Sequence, residues 1–347
     1  MVNDKPAPAA PADVDPGLSP QRISRRSFFR STAAAAGGLL ALRRGLIAAP
    51  DKSTVIEVHR PGVMRPDNRP DPAAVRDMLH RGMKTLTGES DLRAQWRRFV
   101  SESDVVGLKV NGLGGPLLST KHELIRAVIE DLIDSGLKPG NIIVFDRYAD
   151  HLKAVVLKSN LEALGVKVVS CEDPGVGFDP EPSVFASGST HLTRILTGRI
   201  TCLINLPIIK DHELSGTTVS LKNLSHGLTD KPWELHENNC DPFIAHVNAL
   251  PAVSQKHRLI ITDGLLGCCD GGPGYRAGGI VKWESLLFAT DRVAHDTIAT
   301  GMIEAARRAK GFRTLADAGR PPKYLQTAEK IGLGRGDESL IDLRKIE

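Results

Sequence analysis

The sequence predicts an α/β protein with a largely parallel, doubly wound sheet flanked by helices; residues 71–172 and 191–347 would be its lobes if it divides in two. Three observations predict this. Short apolar runs of strand length alternate with amphipathic stretches of helical period. Val105 to Arg147 reads as strand, helix, strand within about forty residues, the span of one βαβ unit. Several runs are apolar without alternation, as strands covered on both faces are. A chain of 347 residues, 41% apolar, suffices for such a core.

Asp71-Pro72 pairs an N-cap with proline at the first helical position, and Val75, Met78, Leu79, Met83 and Leu86 then fall on one face. A short helix around Leu92, Trp96 and Val100 leads to the strand VVGLKVN, Val105 to Asn111, which Gly112, Gly114, Gly115 and Pro116 end. Thr120 to Glu123 fits a capping box before Leu124, Ile125, Val128, Ile129, Leu132 and Ile133. Gly136 and Pro139 stop that helix, and the strand NIIVFDR follows. A helix over His151 to Leu164 and the strand KVVS continue the pattern. After a Pro/Gly-rich insertion, Asp173 to Thr190, come the strand ITCLINL, a helix start at Asp241-Pro242, and the strands LIITDG (Leu259 to Gly264) and ESLLFAT (Glu284 to Thr290). Asp291 then caps a helix through Ile298, Ile303 and Ala306. No period of repetition points to a solenoid or propeller.

Residues 1–49 read as an address. Ser24-Arg25-Arg26-Ser27-Phe28-Phe29-Arg30 before STAAAAGGLLAL resembles a twin-arginine export signal. That implies the twin-arginine translocase as a transient partner and a periplasmic or otherwise exported location. Cleavage is expected near Ala48 or Ala49; an uncleaved signal would leave an N-terminal membrane anchor. Residues 50–70 read as linker. The first fifty residues hold seven Lys/Arg and three acids, leaving 38 of each sign in the remainder. This balance argues against a nucleic-acid or anionic-membrane surface. No apolar run reaches the roughly eighteen residues of a membrane-spanning helix, so none is expected in the mature body. Five cysteines, none spaced Cys-x-x-Cys, give no support for a zinc ribbon or an iron–sulfur cluster. Buried or surface thiols with room for one disulfide are expected, and the state of Cys268 and Cys269 stays open.

The apolar runs share one habit: each delivers a charge near its C-terminal end. VVGLKVN ends in Lys109 and Asn111, NIIVFD in Asp146, LINLPIIK in Lys210 and His212, LIITD in Asp263, and LLFATD in Asp291. In open parallel sheets ligands bind outside the carboxyl ends of the strands, so these groups would converge there if their strands run parallel. Asp263 and Asp291 fit turn and cap roles equally well. Lys109 and Lys210 are less expected behind apolar residues and are the stronger candidates for chemistry.

These residues also carry a resemblance. VVGLKVN, INLPIIKDH, SLKNLSHG, ITDGLLGCCDGGPG, LFATDRVAHDTIA and AEKIGLGRGD, in that order, resemble the domain of unknown function 362 family across nearly all of the chain after the leader. The resemblance implies kinship without an activity. Some members carry cysteine-rich ferredoxin segments; that segment is missing here, which counts against an intrinsic cluster.

Lys109, Lys210 and His212 are the candidate catalytic groups, as base, nucleophile or general acid. Asn111, Asp146, Lys222, Asn223 and Asp263 are candidate ligand-binding residues. His236, Asp291 and Asp296 are the candidate ligands should a divalent metal take part. The three lysines, with amides of the Ser215 to Ser220 turn, suit an anionic small molecule or cofactor, a carboxylate or phosphate. An exported enzyme acting on such a ligand is one reading. The other is a non-enzymatic periplasmic ligand-binding or redox-maturation protein, supported by the lack of a nucleophile triad, metal motif or dinucleotide fingerprint.

Overall fold

The computed structural model describes residues 52–155 and 158–347. The stretch read as an export signal, with Arg25, Arg26 and the expected cleavage site, lies outside the described residues. Residues 51–347 form one compact unit. Among the described residues no helix is long and apolar enough to cross a membrane.

The strands are β1 (Ser53–His59), β2 (Val106–Lys109), β3 (Ile142–Asp146), β4 (Lys167–Ser170), β5 (Ser183–Phe185), β6 (Gly188–Thr190), β7 (Cys202–Asn205), β8 (Ile208–His212), β9 (Gly216–Thr218), β10 (His257–Cys268), β11 (Ile280–Val281), β12 (Ser285–Ala289) and β13 (Ile341–Ile346). The helices are α1 (Pro72–Thr87), α2 (Leu92–Arg97), α3 (His122–Asp134), α4 (Ala149–Val155), α5 (Lys158–Glu162), α6 (Ser220–Ser225), α7 (Phe243–Ala249), α8 (Pro251–Ser254), α9 (Arg292–Ala309) and α10 (Tyr324–Lys330). Eleven strands make one mixed, mostly parallel sheet; eight run in the order β13-β1-β12-β10-β7-β2-β3-β4, while β8 and β11 pair with β10 and β9 with β8. β5 and β6 form a separate hairpin.

Alternation along each strand feeds two cores. On β10, Leu259 and Ile261 face α1 and α3, joining Met78, Leu79, Leu124 and Val128, while Ile260 faces the other side with Ile303 of α9. Gly82 lets α1 lie close on the sheet, because a side chain there would enter the Phe288 ring. Asp71 caps α1 through the Ala74 amide at 3.0 Å. Asp291 caps α9 through Val293 and Ala294.

Four expectations need correction. The stretch read as linker contains β1, whose Val55, Ile56 and Val58 are buried between β12 and β13. The capping box is absent: Lys121 takes the N-cap position of α3, and Thr120 Oγ1 instead donates to the Leu206 carbonyl at 2.7 Å and accepts from the Asn111 amide. LINLPIIK is two strands split at Pro207. β7 pairs with β2, and β8 then pairs with the second half of β10. LIITDG continues to Cys268, which puts Asp263 inside a strand. Gly267 permits this, since any side chain there would collide with the Ile209 carbonyl of β8.

From β2 the chain steps outward to β3 and β4, whereas β7 and β10 add on the other side of β2. The strand order therefore reverses between β2 and β7. A crevice opens outside the carboxyl ends at such a switch point. Lys109 of β2 and Asn205 of β7 are register partners there.

Candidate functional site

Outside that switch point lies a cleft of about 620 Å³, lined by Lys109, Asn111, Asp146, His212, Lys222, Asn223 and His236 among others. Seven of the residues singled out in the sequence are thus brought together. The rest of its wall comes from residues that sequence reasoning did not single out, including Arg147, Tyr148, His151, Glu172, His226 and Trp233.

The floor is a polar ladder whose amide orientations follow from its partners. Lys109 Nζ donates to Asp146 Oδ1 at 2.6 Å, to the Val110 carbonyl at 2.7 Å and to Asn223 Oδ1 at 3.3 Å. Asn111 Nδ2 donates to the same Asn223 oxygen, and Asn223 Nδ2 donates to Asn205 Oδ1 at 2.7 Å. Asn205 Nδ2 closes the ladder on Ser220. Asp146 also accepts from the Gly112 and Arg147 amides. Its charge is thus fully used in holding the β2 and β3 ends together.

Helix α6 brings Lys222 and Asn223 to the cleft. Asp296 accepts from the Ser220 and Leu221 amides at 3.0 and 2.9 Å and holds the helix start, while His295 Nδ1 binds the same carboxylate. Of the turn amides expected to face an anion, that of Ser220 is thus already satisfied. Asp296 acts through α6 and does not reach the cleft.

Three other candidates also lie elsewhere. Lys210 stands behind Asn111, its ammonium closed by Asn111 Oδ1 at 2.9 Å and by the Leu113 and Leu118 carbonyls. Burial pulls its pKa down to about 7. Asp263 accepts from the Lys121 and Leu265 amides within β10. Asp291 follows β12, which is antiparallel to β10, so it sits at the opposite rim of the sheet. There it caps α9 and binds Ser53 and the Arg335 amide. Asp291 and Asp296 therefore do not join His236.

Lys222 is the distinctive charge. It is buried, and among the described residues it makes no ion pair. Its Nζ meets His236 Nε2 at 3.3 Å and Cys240 Sγ at 3.4 Å. Burial lowers it to about 8, against the favourable influence of Cys240. Its positive field also falls on three imidazoles. Burial first and Lys222 second hold His212 and His226 well below the ordinary imidazole range, and push His236 down to about 4. His212 stacks on His236 with centroids 5.6 Å apart, and His226 meets His236 edge-on at 4.6 Å. His212 Nδ1 accepts from the Leu214 and Ser215 amides, so the neutral ring carries its proton on Nε2 and is a donor there.

His226 lies four residues after Lys222, the helical spacing that puts both on one side of the chain, and this is the signal that could have found it. Among the described residues His226, His236 and Cys240 form the group whose donor atoms approach closely enough for a metal. All five cysteines are buried free thiols.

Comparison with known proteins bears on kinship. No curated protein matches the sequence. Among solved structures, a crystal structure of a Thermotoga maritima protein, a structural-genomics target, is similar at a TM-score of 0.38 and 10% identity. The alignment covers 75% of this chain and 59% of that one, so the chain spans well under two thirds of its length. The family described as Domain of unknown function (DUF362) matches residues 106–301, which take in the polar ladder, Lys222 and all three imidazoles. With more than half of its length matched, the chain belongs to the DUF362 family.

Proposed function

We propose that the cleft binds a small anionic molecule, a carboxylate or phosphate ester, with its charged group against Lys222. One observation carries this reading: Lys222 is a buried ammonium whose nearest partners are an imidazole and a thiol, with no carboxylate to balance it. An uncompensated buried charge is costly, and an incoming anion removes that cost while gaining a charge-assisted hydrogen bond. The Nε2–H of His212 adds a donor, and the three neutral imidazoles leave the anion no competing carboxylate at the inner end. Lys109 contributes less charge, because Asp146 already neutralises it. The exposed Trp233 and the partly buried Tyr148 in the cleft wall suit an organic body behind the charged group.

The twin-arginine route and an exported location belong to the same proposal, supported by the Ser24 to Arg30 motif. Replacing Arg25 and Arg26 by Lys together should keep the protein in the cytoplasm in a fractionation assay.

The ligand test is native purification followed by mass spectrometry of released small molecules, and titration with carboxylates and phosphate monoesters. The wild type should release or bind such an anion and Lys222→Met should not. Equal anion uptake by the two proteins would sink the reading. Turnover of the bound anion would make the protein an enzyme; stable retention would make it a carrier.

A further inference from the structure

The inner end of the cleft holds a second arrangement that the anion reading does not use. One donor atom from each of His226, His236 and Cys240 lies within 4.8 Å of the others. The hydrogen bonds around the two rings suit one free nitrogen on each. Ser225 Oγ has one proton, which it gives to the Lys222 carbonyl at 3.3 Å. With that proton on the carbonyl, Ser225 Oγ accepts the Nδ1–H of His226 at 2.9 Å, the tautomer that leaves the ring's lone pair on Nε2. This Nε2 is buried and has no hydrogen-bond partner among the described residues. In His236, Nε2 presents its lone pair to the Lys222 ammonium at 3.3 Å. Metal-binding histidines are usually set up in this way, with one nitrogen tied to a hydroxyl or carbonyl and the other free.

Cys240 completes the group from an unusual backbone. Asn238, Asn239 and Cys240 all have positive φ, at 47°, 59° and 65°. Three successive non-glycine residues in that region cost conformational energy, and here they turn the thiol inward. Lys222 Nζ already sits against two of the three donor atoms, so a cation occupies their lone pairs in this state.

We propose that His226, His236 and Cys240 bind one divalent cation of the zinc type, with the Lys222 ammonium turning into the cleft to make way. Two imidazoles and a thiolate are a donor set that suits a borderline-soft ion, and three protein ligands leave a fourth position open. Cys240 loses its thiol proton to solvent on binding. Bonds of about 2.0 Å to nitrogen and 2.3 Å to sulfur place tetrahedral donors ~3.5 Å apart, so the triad closes by roughly an ångström. Side-chain rotation supplies that. His226 and His236 themselves line the cleft, where His212 stacks on His236. This inference adds a site to the anion reading and does not depend on it.

The test uses the full chain, stripped with chelator and titrated with Co(II) alone, then with Zn(II) in competition. The wild type should take up a single equivalent and show both the intense visible bands of four-coordinate cobalt and a near-ultraviolet thiolate-to-cobalt band. Cys240→Ser should abolish the thiolate band. His226→Gln and the partly exposed His236→Gln should weaken binding by more than the about 10–100-fold that a lost supporting hydrogen bond costs. Ser225→Ala should fall within that range. Lys222→Met should bind the metal more tightly, since it removes the competing ammonium, whereas it should abolish anion uptake by the metal-free protein. The opposite signs separate the two proposals. No thiolate band at saturating cobalt, a band that survives Cys240→Ser in folded protein, or weaker metal binding by Lys222→Met would each overturn the metal site.

Discussion

Strand β8 sends Asp211 to one side and Lys210 and His212 to the other, and the two sides differ in how their charges are matched. On the Asp211 side, Arg307 reaches Asp270 Oδ1 at 3.0 Å, Asp211 Oδ1 at 3.4 Å and the Cys269 and Arg313 carbonyls. Arg320 reaches Asp211 at 2.6 Å and Asp270 at 3.1 Å. The Gly272 amide takes the second Asp211 oxygen. Three guanidiniums meet two carboxylates, the exposed Arg276 reaching Asp270 Oδ2 at 3.1 Å, so no carboxylate there is left unmatched. On the cleft side, Lys222 has no carboxylate, and three imidazoles are kept neutral around it. Buried charge in a saturated network holds strands and helices in register. The same charge left unmatched in a cleft is a demand for a partner.

The largest expected effects test the saturated side. Arg307→Met strands Asp211 and Asp270 with less compensation and should cost about 3–5 kcal/mol of stability in denaturant titration. Lys222→Met should lower stability little or raise it, because it removes a buried charge that the fold does not balance. If the two substitutions were equally destabilising, the distinction between the regions would collapse.

Asp296→Asn probes the link between them. The carboxylate holds two amides of α6 and the His295 ring, so the amide should cost about 1–3 kcal/mol and loosen the helix that carries Lys222 and Asn223. Anion affinity should fall together with stability. In Lys222→Met, affinity falls alone. Only a positioning residue gives the coupled loss.

Much of this contrast was legible in the sequence, and the physics explains where it stopped. The β2-α3-β3-β4 run could be read because each element follows its neighbour and each apolar period is local. β1 could not, because STVIEVH owes its burial to β12 and β13, hundreds of residues away. The direction of β12 is also not encoded in its apolar content, and it decides that Asp291 is a cap at the far rim. Lysine behind an apolar run singled out Lys109 and Lys210 as candidates for chemistry, and both are buried. It did not tell a lysine that lines a cleft from one sealed by carbonyls, because that depends on where the 110–121 loop folds back. His226 and Cys240 were missed because their partnership exists only once α6 and the 236–240 loop meet.

Acidification should also separate the regions. His212 titrates near 6.5 when unfolded and far lower when folded, mainly through burial and then through Lys222. Above that pH both states are neutral, and the ring contributes no pH dependence. Below it the unfolded chain takes up a proton that the folded chain refuses. Stability then drops by about 1.4 kcal/mol per pH unit for each such imidazole. His212→Gln should flatten the stability profile below pH ~6.5 by about that slope. A profile unchanged by the substitution would mean that the ring already charges in the folded state.

The smallest effect is the most direct reading of the unmatched charge. Lys222 is the second cause, after burial, of the depressed titration of His236, which stands at about 4. Lys222→Met removes the field and leaves the burial, so His236 should titrate higher while remaining below a free imidazole, as followed by proton NMR of the ring. His226 and His212 should move in the same direction. If all three rings titrate as before, the Lys222 charge is already compensated within the fold, and the cleft would then be as balanced as the arginine network behind it.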